Sequence, residues 1–278
     1  MNDITEKLLD DLWADSKAKD ILRGMDRVLN AKSSRVRESA SALVVSAGEG
    51  CGVSSYGRVL ASIVDSSVSQ KIKGSFTFLE LVFPKDNEKN EMLFYASPRR
   101  MASIRNRYYG TMLISLKEYT GTDLIKSESF ARLLKFIYEN KNTVQFMIHI
   151  LPDFAAKNQL LSKLREVINV TEVSLQYPDL EKSYTYIATG LKNEGYEPDE
   201  EVLKTLKDEI LPNLITEKAY NGYNSLNSLL SRLLLEIAMS SENDEMLLNE
   251  DVIGEFMDKY KREAELSKKE MTGIGFRM

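Results

Sequence analysis

Cysteine and histidine are nearly absent from this chain of 278 residues, with Cys51 and His149 the single example of each. One thiol cannot build an intramolecular disulfide framework, and one thiol with one imidazole cannot make a Cys/His zinc site. Basic excess is missing as well. Net charge is −5, the isoelectric point is near 5.3 and no long block of like charge occurs, so the chain lacks the electrostatic footprint of a nucleic-acid binder. No apolar run approaches the length of a membrane span, and MNDITEKLLDDLW opens polar and acidic rather than as an export signal, so a cytoplasmic protein is expected. What is present is an ordinary globular composition, 43% hydrophobic and 28% charged, long enough for one large core and a smaller second domain.

Hydrophobic periodicity predicts one helical segment from Ile4 to Asn30, where Ile4, Leu8, Leu12, Ile21, Met25, Val28 and Leu29 recur at three- and four-residue spacing. A buried strand, Ala42 to Ser46, leads straight into the glycine-rich run AGEGCG. Val59, Leu60, Ile63 and Val64 then follow at helical spacing, completing a strand, loop and helix unit. Further strands are expected at Phe76 to Phe83, Met112 to Leu116, Thr143 to Leu151 and Val173 to Tyr177, with helices at Pro98 to Tyr109, Glu128 to Asn140 and Phe154 to Val167. Such alternation argues α/β architecture with a parallel sheet and helices on both faces. After Tyr177-Pro178-Asp179 only helical patterns remain, at Glu181 to Lys192, Asp199 to Ile210, Tyr223 to Met239 and Asn249 to Lys268. Pro178, Pro198 and Pro212 sit at the joints. Two domains are predicted, an α/β domain over residues 1–181 and a small all-helical domain over 182–278.

A phosphate loop needs glycines to turn backbone amides inward, a lysine for the outer phosphates and a hydroxyl for magnesium, giving GxxxxGK(S/T) between strand and helix. In AGEGCGVSS, aligning the last glycine on Gly52 puts Ala47 at the first glycine, Val53 at the lysine and Ser54 at the hydroxyl. A charge-assisted hydrogen bond is worth roughly 1.5 to 3 kcal/mol, so the missing lysine alone predicts about ten- to a hundredfold weaker triphosphate binding. A dinucleotide fingerprint, GxGxxG, begins at Gly48 and Gly50 but fails at Val53. The plainer alternative is that the glycines only make a tight turn from strand to helix.

Beyond the loop, YYGTMLISLKEY, NKNTVQFMIHILPDF, SLQYPDLEKSYTYIATGLKNEGYEPDEEVLKTL, YNGYNSLNSLLSRLLLEIA and the ending GIGFRM occur in the order and spacing of an AAA+ ATPase. The chain resembles that family, and within it the CbxX/CfqX type that includes red-type Rubisco activases and the sporulation stage V protein K. The resemblance implies a P-loop-type five-stranded parallel sheet with a helical lid. It also implies a depleted site. Aligned on Tyr119, the metal-orienting aspartate and water-polarising glutamate become Leu116 and Lys117. Shifting by one position offers Glu118 but puts Lys117 at the metal ligand. Arg165 falls near the first of two expected arginines, the trans-acting finger falls near Val167 in a gapped alignment, and Asn224 and Asn227 stand at the lid arginines.

These losses suggest a pseudo-ATPase acting as a structural or adaptor subunit, with a protein partner such as an active AAA+ subunit or a second copy. No catalytic residue, metal or required cofactor is expected; ATP, if bound, would not be hydrolysed. The competing reading is a nucleotide-responsive switch or weak ATPase that remodels a protein, and a DNA-loading role rests on fold analogy alone. The candidate nucleotide- or anion-binding residues are Gly50, Gly52, Ser54 and Lys117. An anion held between the loop amides and Lys117 competes with a simpler arrangement in which Lys117 faces solvent or pairs with Glu49 or Glu118. His149, inside the apolar run VQFMIHIL, reads as a structural histidine, Cys51 as a small loop residue rather than a reactive thiol, and Trp13 as a packing anchor. Arg99, Arg100, Arg105 and Arg107 read as a solvated helix face or a partner contact.

Overall fold

The computed structural model describes residues 3–33, 40–68, 77–83, 110–196, 198, 200–240, 254 and 256. The expected helix at Pro98 to Tyr109 with its arginines and the last helix apart from Gly254 and Phe256 lie outside these residues. The chain divides into two compact units, Met1–Gln176 and Tyr177–Met278, a few residues ahead of the expected boundary.

In the first unit, α1 (Asp3–Asp10) and α2 (Ser16–Leu29) precede β1 (Ala42–Ala47) and α3 (Val53–Val68). The single opening helix expected from periodicity is therefore two. The break has a local cause: Asp15 is extended, with φ −69° and ψ 162°, and its side chain accepts a 2.7 Å hydrogen bond from the Ala18 amide, starting a new helix instead of continuing the old one. Trp13 lies half-buried in the connection.

The remaining elements of this unit are β2 (Thr77–Val82), β3 (Gly110–Ser115), α4 (Asp123–Lys126), α5 (Glu128–Asn140), β4 (Val144–Ile150), α6 (Lys157–Arg165) and β5 (Val170–Leu175). The strands form one five-stranded sheet in the order β2-β3-β4-β1-β5, and every pairing is parallel. Burial on both faces explains the near-continuous apolar runs of β1, β3 and β4. Alternation along each strand divides the core. Ala42, Val44, Met112, Ile114, Phe146 and Ile148 pack with α5 and α6 on one face, while Leu43, Val45, Leu113 and Met147 pack with α1, α2 and α3 on the other. The Ser127 hydroxyl caps α5 by accepting from the Phe130 amide at 3.1 Å.

The second unit holds α7 (Leu180–Asn193), α8 (Glu200–Thr205), α9 (Leu211–Thr216) and α10 (Gly222–Ser240). Asp179 caps α7 through the Lys182 amide at 2.8 Å, and α7 packs on α10. Pro212 falls at the expected boundary after Ile210, but the next helix follows directly, without an intervening loop. A π turn, Leu206–Ile210, joins α8 to α9, with the Leu211 amide reaching back to the Leu206 carbonyl, and Pro212 sits at the start of α9. A proline in a first turn lacks only an amide that the turn would leave without a helical partner.

Candidate functional site

The carboxyl end of β1 passes into Gly48-Glu49-Gly50-Cys51, closed as a turn by a 3.4 Å hydrogen bond from the Cys51 amide to the Gly48 carbonyl. Gly50 has φ 76° and Gly52 φ 80°, both in the left-handed region that side chains disfavour. The glycines expected to bend the loop therefore do so. Immediately after them α3 begins, its first turn closed by the Tyr56 amide on the Gly52 carbonyl at 2.9 Å.

Loop side chains divide between core and solvent. Cys51 is buried, with burial pushing its thiol above the ordinary value, as expected of a small packed residue rather than a reactive thiolate. Val53, at the lysine position, is 9% exposed and belongs to the core cluster formed by α1, α2, α3 and the sheet. Tyr56 is fully buried and donates from its hydroxyl to the Ala18 carbonyl at 2.9 Å; desolvation raises its phenol. Ser54 points elsewhere, donating to Glu80 Oε1 on β2 at 2.9 Å.

At the end of β3 the pleat decides which side chains face α3. Leu116, at the metal-aspartate position of the alignment, is fully buried in the opposite cluster with α5 and α6. Ser115 lies on the α3 side and is joined to His149 Nδ1 at 2.9 Å, while His149 Nε2 lies 2.9 Å from the Ala47 carbonyl. A carbonyl has no proton to give, so Nε2 donates to Ala47 and Nδ1 accepts from the Ser115 hydroxyl. His149 thus ties β3, β4 and β1 together beneath the loop at 6% exposure, and burial lowers its basicity. Both ring nitrogens are engaged in holding the strands, the structural role expected.

Lys117 donates to Glu49 Oε1 at 2.8 Å, and this bond and charge lower the Glu49 carboxyl below its ordinary range. Of the arrangements expected for Lys117, pairing with Glu49 is the one present. Gly50, Gly52, Ser54 and Lys117 are thereby gathered around one loop. Glu80 and the Ser115–His149 pair were missed as members of this cluster; a lone carboxylate inside FTFLELVF was the available signal for Glu80. Arg165 lies apart, donating to Glu172 at 3.0 Å, and Val167 packs on the core with α5 and α6. In the second unit Asn227 accepts from the Tyr186 hydroxyl at 2.6 Å, and Asn224 is exposed. Among the described residues no Cys, His, Asp and Glu group is arranged to hold a metal ion.

The parallel sheet of order 2-3-4-1-5 with helices on its faces matches the fold of solved structures. The chain's fold is that of the AAA+ ATPases. Domain III of the replication initiation protein DnaA from Thermotoga maritima superposes with a TM-score of 0.53 at 12% identity, over 86% of this chain and 91% of that one. The Holliday junction branch migration motor RuvB from the same organism gives 0.54 at 12% identity, over 88% and 69%. PCH-2 from C. elegans gives 0.53 at 13% identity, over 94% and 72%. No protein-family model and no curated protein matches the sequence. Among the described residues no helix is long and apolar enough to cross a membrane.

Proposed function

We propose that this AAA+ fold acts as a nucleotide-independent structural or adaptor subunit in the cytoplasm. In this reading it docks on a protein partner or takes a position in an AAA+-type assembly, with the sequence resemblance favouring the CbxX/CfqX type. One observation carries the reading. Where phosphoryl transfer needs a loop lysine and strand-end carboxylates, the α3 side of the sheet offers Val53 packed in the core, Ser115 held by His149, and Lys117 held by Glu49. Hydrolysis rests on cationic stabilisation of the transferred phosphoryl group, a metal clamp and an oriented water, and these side chains, whose one cation is paired with Glu49, match those needs poorly. Function resides in such sites rather than in the fold.

A second reading, a nucleotide-responsive switch, draws support from the left-handed Gly50 and Gly52 and from Ser54 in the first turn of α3. Thermal melting with saturating ATP and magnesium separates the two. The adaptor reading expects no shift in melting temperature and no phosphate release above a buffer control. A shift without turnover would favour the switch, and turnover abolished by Ser54→Ala would refute the adaptor reading outright.

A further inference from the structure

We propose that the glycine loop is latched by the chain's own carboxylates, so that its shape is set without a ligand. The proposal rests on the nucleotide-independent reading above and gives it a structural device. Two side-chain contacts grip the loop on either side of its bend. Before the Gly50 turn, Glu49 accepts from Lys117, which follows β3, at 2.8 Å. After Gly52, Ser54 donates to Glu80 on β2 at 2.9 Å. The partners come from two strands, so opening the loop must break contacts to two separate parts of the sheet edge.

Between the grips the loop is anchored inward. Cys51 and Val53 pack with α1, α2 and α3, and the Cys51 amide is used by the Gly48 carbonyl. A hydroxyl and an ammonium are the side-chain groups that would meet a phosphate here, and each already has a carboxylate as its acceptor. Those carboxylates carry the sign of charge that a phosphate would bring, so an anion competing for these donors would be repelled by Glu49 and Glu80.

The latch is tested by hydrogen exchange with mass spectrometry on peptides covering residues 47–56, in the full chain without nucleotide. Lys117→Met and Ser54→Ala each remove one grip. Exposed contacts of this kind shift an opening equilibrium by about two- to fivefold, so each single variant should raise loop exchange by that factor and the double variant by about tenfold. Peptides from α5 and β4 should keep wild-type rates, which shows that the variants remain folded. Loop exchange in the double variant equal to wild type would overturn the latch. Melting of the wild type with magnesium and ATP, run in parallel, reports separately on the functional reading: a shift there sinks nucleotide independence, whereas unchanged loop exchange sinks the latch alone.

Discussion

His149 is the chain's single histidine, which makes its titration directly readable. Burial lowers its pKa from the ordinary 6.5, with Lys117, Glu49 and Glu80 the charged groups around it. The unfolded state therefore binds a proton that the folded state refuses. The stabilising difference is complete above pH 6.5 and is lost as pH falls from there toward the depressed folded value. Glu49, lowered by Lys117 from 4.5, acts only further down, since its contribution is present above that value and lost below it. Urea melts between about pH 7.5 and 5 should show stability declining with acidity in the wild type and a flatter profile in His149→Gln. The variant should also lose about 1–3 kcal/mol at neutral pH, because Ser115 and the Ala47 carbonyl lose their shared partner. At the lysine position, Val53→Lys should cost about 1–3 kcal/mol by displacing a core side chain. It should give no ATP turnover in a phosphate-release assay, since the strand-end carboxylates would still be missing.

Two helix glycines with the same local propensity should answer substitution with opposite signs. In α2, a Cβ at Gly24 meets nothing within 4 Å, so Gly24→Ala should stabilise by about 0.5–1 kcal/mol through reduced backbone entropy in the unfolded chain. In α3, a Cβ at Gly57 would lie 2.7 Å from the Phe78 ring of β2. That close approach brings the first turn of α3 down on β2 and Ser54 within reach of Glu80. Gly57→Val should cost about 1–3 kcal/mol, from overpacking and a β-branched side chain in the helix. Chemical denaturation of both variants checks the pair, and stabilisation at Gly57 would contradict the packing described.

For the molecule as a whole, shared architecture leaves the activity open, and net charge bears on one part of it. RuvB is a Holliday junction branch migration motor and DnaA a replication initiation protein, and both share the architecture at 12% identity. This chain carries a net charge of −5, which opposes the counterion release that drives association with a polyanion. Fluorescence anisotropy of a labelled DNA duplex at physiological salt should stay flat up to micromolar protein. Saturable, salt-sensitive binding would instead show that a local basic surface overrides the net charge.

Strand and helix order was legible in the sequence because it follows from periodicity and from glycine. A strand buried on both faces must be largely apolar, as β1, β3 and β4 are, and a bend between strand and helix needs residues tolerant of positive φ, as Gly50 and Gly52 are. The absence of a loop lysine at Val53 was legible for the same reason, since it depends on position in a contiguous motif. The break at Asp15 and the π turn before Pro212 were not read from periodicity; one side-chain cap and one shifted backbone bond decide them. Tertiary structure alone brought Glu80, Ser115 and His149 to the loop, beside the Lys117 already expected there. They lie on three different strands, β2, β3 and β4, each separated from the next by a long stretch of chain, and the pleat, by turning Leu116 to one face and Ser115 to the other, chose which of them the loop meets.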